Sequence, residues 1–127
     1  MSEVLVDTSV WVAHFRRADP VLQRLLQSDL VLVHPLVLLE LACGTPPAPR
    51  EKTLGSLRTL RSCTVATIDE TLQIVERERL FDSGCGAVDV ALVASALLTP
   101  DCRLWTRDRA LASLAESFAV AYAAEAP

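Results

Sequence analysis

The sequence predicts an α/β fold in which a short, twisted parallel sheet is covered by helices on both faces, giving a three-layer sandwich. Short apolar runs typical of buried strands alternate along the chain with longer segments of helical periodicity. Strands that are apolar on both faces are typical of parallel sheets, because helices cover both surfaces. With 127 residues, 51% of them hydrophobic, the chain is expected to form a single domain over residues 1–127.

The strands are predicted from apolar runs that end at turn or helix-start signals. The first run ends at Asp7, and the Thr8-Ser9 pair that follows can cap a helix. The predicted strands are residues 3–7, 30–34, 63–68, 103–106 and 118–122. Because helices separate them along the chain, these strands are expected to run parallel.

The helices are predicted from apolar residues at helical spacing and from start and stop residues. Asp19-Pro20 supplies a cap and a first-turn proline, and Thr67 with Glu70 has the form of a capping box. The predicted helices begin at Thr8, cover residues 20–28, 35–44, 67–81 and 87–98, and resume from 108 to 117. The charged, amphipathic segment 49–60 is expected to form an arm or an outer hairpin.

Composition excludes several classes of protein. A net charge of −4 argues against a protein whose whole surface binds nucleic acid, although a local patch can still bind it. No apolar run approaches the roughly 20 residues of a membrane span, and the first residues lack the basic region of a signal peptide. We therefore expect a cytoplasmic protein with no membrane association. Its four cysteines form no C-x-x-C pair and are expected to be small buried thiols, and its two histidines to be structural.

Four carboxylates stand in apolar surroundings, where burial of an ionised side chain is costly unless something neutralises it. They are Asp7, Glu40, Asp89 and Asp108. Asp7 ends one predicted strand and Asp108 follows another, and open parallel sheets bind their ligands at the carboxyl ends of the strands. Buried carboxylates in one pocket repel one another, and a hard divalent cation such as Mg²⁺ or Mn²⁺ relieves that repulsion. The sequence therefore predicts one metal site built from these acids.

Three of these acids also have a structural interpretation. Asp7 and Asp108 can cap the helices that follow them. Asp89 can favour the positive end of its helix. Glu40 has no such role, because it lies in the middle of a predicted helix among leucines.

Four segments together resemble the PIN-domain family, in particular its VapC-type toxins. They are Val4-Leu-Val-Asp-Thr-Ser-Val-Trp11, Leu38-Leu-Glu-Leu-Ala-Cys-Gly44, Gly86-Ala-Val-Asp-Val-Ala-Leu-Val-Ala-Ser-Ala96 and Leu104-Trp-Thr-Arg-Asp-Arg-Ala-Leu111. Their order and spacing span nearly the whole chain and carry the resemblance.

The resemblance implies a PIN-like fold and a metal-dependent endoribonuclease, the toxin of a VapBC-type pair. It implies that Asp7 and Asp89 bind Mg²⁺ or Mn²⁺ directly. Glu40 and Asp108 would complete the pocket directly or through water, one of them positioning the attacking water. Thr106 matches the threonine of the family's T-x-D segment. The implied partner is a cognate VapB-type antitoxin, expected to block the pocket with a basic side chain facing the carboxylates.

Polar and basic side chains form a second set of candidates. Ser9 and Thr106 can hydrogen-bond a carboxylate or a water, or serve as ordinary capping and strand residues. Arginine grips phosphate bidentately, and RNA affinity depends largely on such contacts. The candidates for RNA binding, each with a solvated helix face as the alternative, are Arg16, Arg17, Arg50, Lys52, Arg58 and Arg61.

Two further expectations concern assembly and activity. The outer helices carry more leucine than one small domain can bury, so we expect a homodimer. The alternative to the enzyme is a catalytically inert PIN-like subunit that only binds a protein partner. Two other kinds of protein with an aspartate at a strand end fit less well: receiver domains, which are signalling modules, need a lysine on a late strand, and dehalogenase-type phosphatases need an aspartate where Ser9 stands.

Overall fold

The order of elements confirms the predicted alternation of strands and helices. The computed structural model describes residues 2–123. The elements are β1 (Glu3–Val6), α1 (Thr8–Arg16), α2 (Pro20–Gln27), β2 (Val31–Val33), α3 (Pro35–Cys43), α4 (Arg50–Arg58), β3 (Arg61–Ser62), α5 (Ile68–Glu78), α6 (Ala87–Leu98), β4 (Cys102–Trp105) and α7 (Arg109–Ser117). The Asp19 cap of α2 and the Thr67–Glu70 capping box of α5 form as predicted.

The strands form a parallel sheet in the order β3-β2-β1-β4. Leu5 of the central β1 lies opposite Leu32 of β2 and Leu104 of β4, and all three side chains are buried. Along the chain, the strands are added outward from β1 through β2 to β3, and β4 then pairs with the other side of β1. The reversal creates a crevice between β1 and β4, where open α/β sheets place their ligands.

The helices form two groups. α1 packs against α3 and α3 against α4, whereas α5 packs against α6 and α6 against α7. Parallel crossovers are almost always right-handed, so a connection that reverses direction places its helices on the opposite face. The predicted three-layer α/β fold is therefore confirmed. Between residues 2 and 123, none of the helices is both long and apolar enough to cross a membrane.

The charged segment 49–60 is not an arm or a hairpin. It forms α4, which packs against α3, and Leu57 is buried in the core. Leu54 and Leu60 pack against the same core. The amphipathic spacing that the sequence shows is therefore used to cover the sheet rather than to extend from it.

The predicted strand 63–68 is wrong, because β3 is only Arg61–Ser62. The Cys63 amide still donates to the Val33 carbonyl at 3.2 Å. Further along, the Thr64 amide donates to Thr99 Oγ1 at 2.9 Å and the Ala66 amide to a side chain of α6 at 3.0 Å. Side-chain oxygens replace the strand partner, so the ladder stops.

The predicted last strand, 118–122, is reduced to an isolated bridge between Leu104 and Ala121. The Leu104 amide donates to the Val120 carbonyl at 2.7 Å, and the Tyr122 amide donates to the Leu104 carbonyl at 2.9 Å. Ala119 has a φ of 60°, a left-handed conformation that interrupts extended backbone. The segment therefore covers the outer edge of β4 at one residue only.

Candidate active site

Two of the predicted acids meet at the crevice between β1 and β4. Asp7 directly follows β1, and its amide donates to the carbonyl of Trp105, the last residue of β4, at 2.9 Å. Asp108 follows β4 by three residues and begins α7. The strand pairing itself therefore brings these two carboxylates to one edge of the sheet.

Two hydroxyl groups hold the Asp7 carboxylate in place. Thr106 Oγ1 and Ser9 Oγ donate to Asp7 Oδ2 at 2.7 and 2.8 Å. Each hydroxyl also accepts a backbone hydrogen bond, Thr106 from Asp108 at 3.0 Å and Ser9 from Arg107 at 2.9 Å. Since a hydroxyl has one proton and both protons are directed to Asp7, the 3.2 Å Ser9–Thr106 contact is a by-product of this arrangement.

The capping interpretation fails for Asp7 and holds for Asp108. Asp7 occupies the position before α1, yet its side chain makes no capping hydrogen bond and is 6% exposed. Its Oδ1 atom accepts no hydrogen bond from residues 2–123. Asp108 Oδ1 accepts from the Leu111 amide at 3.0 Å and caps α7. Each carboxylate therefore has one oxygen engaged in structure and one left for another ligand.

Glu40 reaches the site from α3. Thr8, the first residue of α1, donates its hydroxyl proton to Glu40 Oε1 at 2.6 Å. This role of Thr8 was not predicted from the sequence, because nothing in the chain order reveals that residues 8 and 40 are neighbours. The signal available was only that Thr8 directly follows Asp7.

Asp89 lies in the first turn of α6 and is half-buried. Burial raises the pKa of its carboxyl, and the negative charges of Asp108 and Asp7 raise this pKa further. Glu40 contributes in the same direction, whereas a hydrogen bond from the Gly86 backbone lowers the pKa in part. Asp7, Glu40 and Asp108 therefore all lie within electrostatic range of Asp89.

The expectation that all four acids are buried is wrong. Asp7 is buried and Asp89 half-buried, but Glu40 and Asp108 are exposed. The reason is their location: Glu40 lies at an open cavity between α3 and α1, and Asp108 at the start of an exposed helical turn. The charges of Glu40 and Asp108 therefore cost the fold little free energy, and the repulsion among the carboxylates is concentrated at Asp89.

The donor set fits a hard, hydrated divalent cation. All four candidate ligands offer carboxylate oxygens, which Mg²⁺ and Mn²⁺ prefer. Within residues 2–123, no three acidic, histidine or cysteine side chains lie close enough around one point to hold an ion by themselves. An ion at this place would therefore be held by one or two carboxylates, with waters completing its coordination, as is usual for Mg²⁺.

The basic candidates do not form one patch. Arg61 pairs with Glu3 and Asp29 near the amino end of the sheet, so its assignment to RNA binding is not supported by its place in the fold. Arg50 donates to the Ala42 carbonyl and closes the C-terminal end of α3. The others lie elsewhere: Arg16 beside Glu40, Arg17 after α1, and Lys52 and Arg58 on α4.

The cysteine and histidine side chains, the other types that could bind a metal, are structural. All four cysteines are free thiols. Burial raises the pKa of the Cys63 thiol to about 12 and that of Cys102 to about 11, so both stay protonated. Cys85 is half-buried and Cys43 exposed, against the expectation that all four are buried.

His34 and His14 accept backbone hydrogen bonds through Nδ1, from Leu36 at 3.0 Å and Asp19 at 2.9 Å. Each is therefore bound into the start of a helix. His34 is 1% exposed, and its Nε2 lies 3.0 Å from Ser95 Oγ. Because Nδ1 is an acceptor, Nε2 carries the proton and donates to Ser95.

A parallel sheet in this order, with an acidic crevice between β1 and β4, is what the resemblance to PIN domains predicts. The PIN domain profile matches residues 4–117, and the chain belongs to the PIN-domain family. It is of the VapC type: the chain is 45% identical over 122 residues to "Ribonuclease VapC32" from each of two strains of Mycobacterium tuberculosis. The matches cover 96% of this chain and 98% of each relative. The assignment made from the four sequence segments is confirmed.

Proposed function

We propose that the protein is a Mg²⁺- or Mn²⁺-dependent endoribonuclease that hydrolyses RNA phosphodiester bonds at the four-carboxylate cluster. The observation that carries the proposal is the Asp7 carboxylate, buried with one oxygen held by two hydroxyls and the other free. A buried anion with one oxygen left unpaired is suited to a cation. The ribonuclease name of the relatives supports the same reaction.

The roles proposed for the acids follow from their surroundings. Asp7 and Asp89 are the direct metal ligands, because they are the two least exposed carboxylates. Glu40 and Asp108 bind the ion directly or through water. When bound, a divalent ion lowers the pKa of a coordinated water and stabilises negative charge on the phosphate.

Glu40 is well placed to hold the attacking water. Thr8 engages its Oε1 atom, which leaves Oε2 to accept a proton from a water molecule. The water oxygen forms a new bond to phosphorus, and the bond between phosphorus and the leaving oxygen breaks. Asp108 is the second candidate, with one oxygen committed to α7.

The test is cleavage of mixed RNA by purified protein with Mg²⁺, with Mn²⁺ and with a chelator. Wild-type protein is expected to cut only with metal, and Asp7→Asn to lose activity by about 100-fold or more. Asp69→Asn is the matched control, because it makes the same change at an exposed site on α5. Equal activity of wild type and Asp7→Asn in all three conditions would refute the proposal.

The alternative, an inert PIN-like subunit that only binds a protein partner, is disfavoured. All four acids are present, and two hydroxyls are committed to orienting one of them. A scaffold gains nothing from carboxylates whose burial and mutual repulsion raise the pKa of Asp89. Metal-independent behaviour in the cleavage test, together with capture of a partner, would favour the scaffold.

We further propose that a VapB-type antitoxin inhibits the enzyme by presenting a basic side chain to the carboxylates. A cavity of about 470 Å³ between α1, α2 and α4 offers a second place where such a segment could bind. It is lined by Trp11, whose buried Nε1–H has no hydrogen-bond partner within residues 2–123. A backbone carbonyl of the inhibitor would satisfy this donor. Inhibition is expected to weaken as salt concentration rises.

The protein is also proposed to be a homodimer that acts in the cytoplasm. A cavity of about 690 Å³ between α5 and the starts of α3 and α6 is surrounded by exposed apolar side chains. We call these the α5 patch: Val65, Ile68, Leu72 and Phe81, between 43% and 81% exposed. Apolar groups this exposed favour burial against a second copy. The free thiols suit a reducing compartment.

A further inference from the structure

A second cavity, of about 570 Å³, opens directly beside Glu40. It lies between α1, α3 and the loop after α3, and it shares Thr8 and Glu40 with the acidic cluster. Its other lining residues include Val12, Phe15, Arg16, Leu41, Pro46 and Pro47. None of the roles proposed above uses this space. It is continuous with the place where the scissile phosphodiester would bind.

The walls of this cavity are held in place without a ligand. Thr53 Oγ1 donates to the Pro47 carbonyl at 2.8 Å, and Arg50 donates to the Ala42 carbonyl at 2.6 Å. Prolines 46 and 47 have fixed φ angles. On the opposite wall, Phe15 packs against Trp11 with ring centroids 6.1 Å apart. The cavity is therefore preformed, as most small-ligand sites are.

The chemistry of the lining suits a nucleotide. Phe15 is half-buried and Val12 is 37% exposed, which gives an apolar face for a base. Arg16 is exposed at the rim and forms no salt bridge with any residue from 2 to 123. Proteins bind single-stranded RNA by stacking splayed bases on aromatic side chains and by gripping phosphates with arginine.

We propose that this cavity binds the base of one nucleotide next to the scissile bond, with an adjacent phosphate on Arg16. The proposal rests on the proposed ribonuclease activity and names a subsite for its substrate. The charge of Arg16 favours RNA over the basic segment expected of an inhibitor, because like charges repel. The size of the cavity suits one base rather than a helix of a partner.

The test uses an oligoribonucleotide that contains a cut site mapped in mixed RNA. Analogues of it carry an abasic ribose at each position around the cut, one at a time. With wild-type protein, one abasic position beside the cut is expected to raise KM about 10-fold, because base stacking is lost, with little change in kcat.

Val12→Trp fills the cavity, and its effect is measured alone and in combination with the abasic position. It is expected to raise KM for the intact oligonucleotide about 10-fold and to abolish the further penalty of the abasic position. Arg16→Ala is an independent variant, expected to raise KM and to reduce the salt dependence of KM. Arg24→Ala, which removes an exposed arginine on α2, is the control and should keep the full abasic penalty. Thermal unfolding verifies that each variant is folded.

The outcomes separate this proposal from the proposed function. Wild-type cleavage that is insensitive to every abasic position, or a penalty retained in Val12→Trp, would overturn the subsite and leave the ribonuclease intact. A Val12→Trp protein with normal RNA kinetics but weakened inhibition by the antitoxin would assign the cavity to the protein partner instead.

Binding of a fluorescein-labelled single-stranded RNA of mixed sequence to Asp7→Asn gives a readout that does not need cleavage. Weaker binding on filling the cavity supports the subsite even if wild type proves inactive. If Asp7→Asn binds RNA equally well with and without the added Val12→Trp substitution, that result counts against the subsite.

Discussion

At the scale of single residues, the site is defined by how each carboxylate oxygen is occupied. Asp7, Asp108 and Glu40 each have one oxygen committed to a hydrogen bond from the protein. Four hydrogen bonds thus orient three acids before any cation binds. Such preorganisation reduces the reorganisation needed when charge develops on a substrate phosphate.

Thr8 is expected to act as a positioning residue for Glu40. Thr8→Val removes the 2.6 Å hydrogen bond with almost no change in shape, whereas Thr8→Ser keeps it. We expect Thr8→Val to lower kcat about 10-fold with little change in KM, and Thr8→Ser to restore most of the activity. Steady-state kinetics and the pH profile of kcat check this. An equal loss in both variants would indicate a packing role instead.

Asp89→Asn is expected to stabilise the metal-free protein. Burial and neighbouring charges raise the pKa of Asp89, so its ionised form disfavours folding at neutral pH, and a neutral amide removes that cost. Thermal unfolding in chelator should show a higher Tm for Asp89→Asn than for wild type. Addition of Mn²⁺ should raise Tm for wild type and much less for Asp89→Asn. Equal responses to Mn²⁺ would exclude Asp89 as a ligand.

At the scale of elements, α6 is tied to the segments that follow β2 and β3 by a chain of buried hydrogen bonds. Ser95 Oγ accepts from the Ala66 amide and from His34 Nε2, and Thr99 Oγ1 donates to the Ser95 carbonyl at 2.7 Å. These contacts fix the segment between β3 and α5 without strand pairing. They also position the start of α3, the helix that carries Glu40.

The buried His34 is expected to make the stability of the protein depend on pH. Burial lowers its pKa below 6.5, so the unfolded chain takes up a proton at a higher pH than the folded protein does. The free energy of unfolding should therefore fall as pH decreases below about 6.5. Urea unfolding between pH 7 and 5 measures this slope.

Two variants identify the source of that slope. His34→Gln should be less stable than wild type but should show a flatter dependence on pH. His14→Gln is the control, because His14 is only half-buried. If the slope survives in His34→Gln, this histidine is not its cause.

The same elements show what sequence can and cannot predict. Periodicity and capping signals located α1, α2, α5 and α6 to within a few residues, because those signals are local. The strand 63–68 was wrong because its amides bond to Thr99 and Ser95, which lie about 30 residues further along the chain. Likewise, α5 ends at Glu78 rather than near Phe81, because Arg79 adopts a left-handed conformation.

Site residues were predictable for a related reason. Carboxylates that interrupt apolar runs are visible in one dimension, and Asp7, Glu40 and Asp108 all lie within electrostatic range of Asp89. Their hydrogen-bond partners were harder to predict, because Thr8 donates to Glu40, which lies 32 positions away along the chain. The main error was the predicted burial of the acids, since the sequence pattern does not reveal which side of α3 faces outward.

At the scale of the whole molecule, function depends on the reversal of strand order beside β1. The reversal puts α1 and α7 on opposite faces and opens the crevice that receives Asp7 and Asp108. Asp89 comes from α6, so both helical layers contribute acids to one site. The two layers must therefore stay in register for the site to form.

The proposed homodimer is tested by charging the α5 patch. Leu72→Lys and Ile68→Lys replace exposed apolar groups on α5 and should convert the dimer to a monomer, because burial of the new charge is costly. Light scattering at micromolar concentration measures the mass. Val12→Lys on α1 is the control and should remain a dimer. A monomeric wild-type protein would contradict the proposal.

The edges of the sheet determine how this protein can associate. One edge, β3, is two residues long and carries the charged Arg61, and the opposite edge is covered at Leu104 by the returning backbone. Short, charged or covered edges resist the addition of a strand from another molecule. Association of copies through helical surfaces is therefore favoured over the strand-to-strand stacking that leads to fibrils.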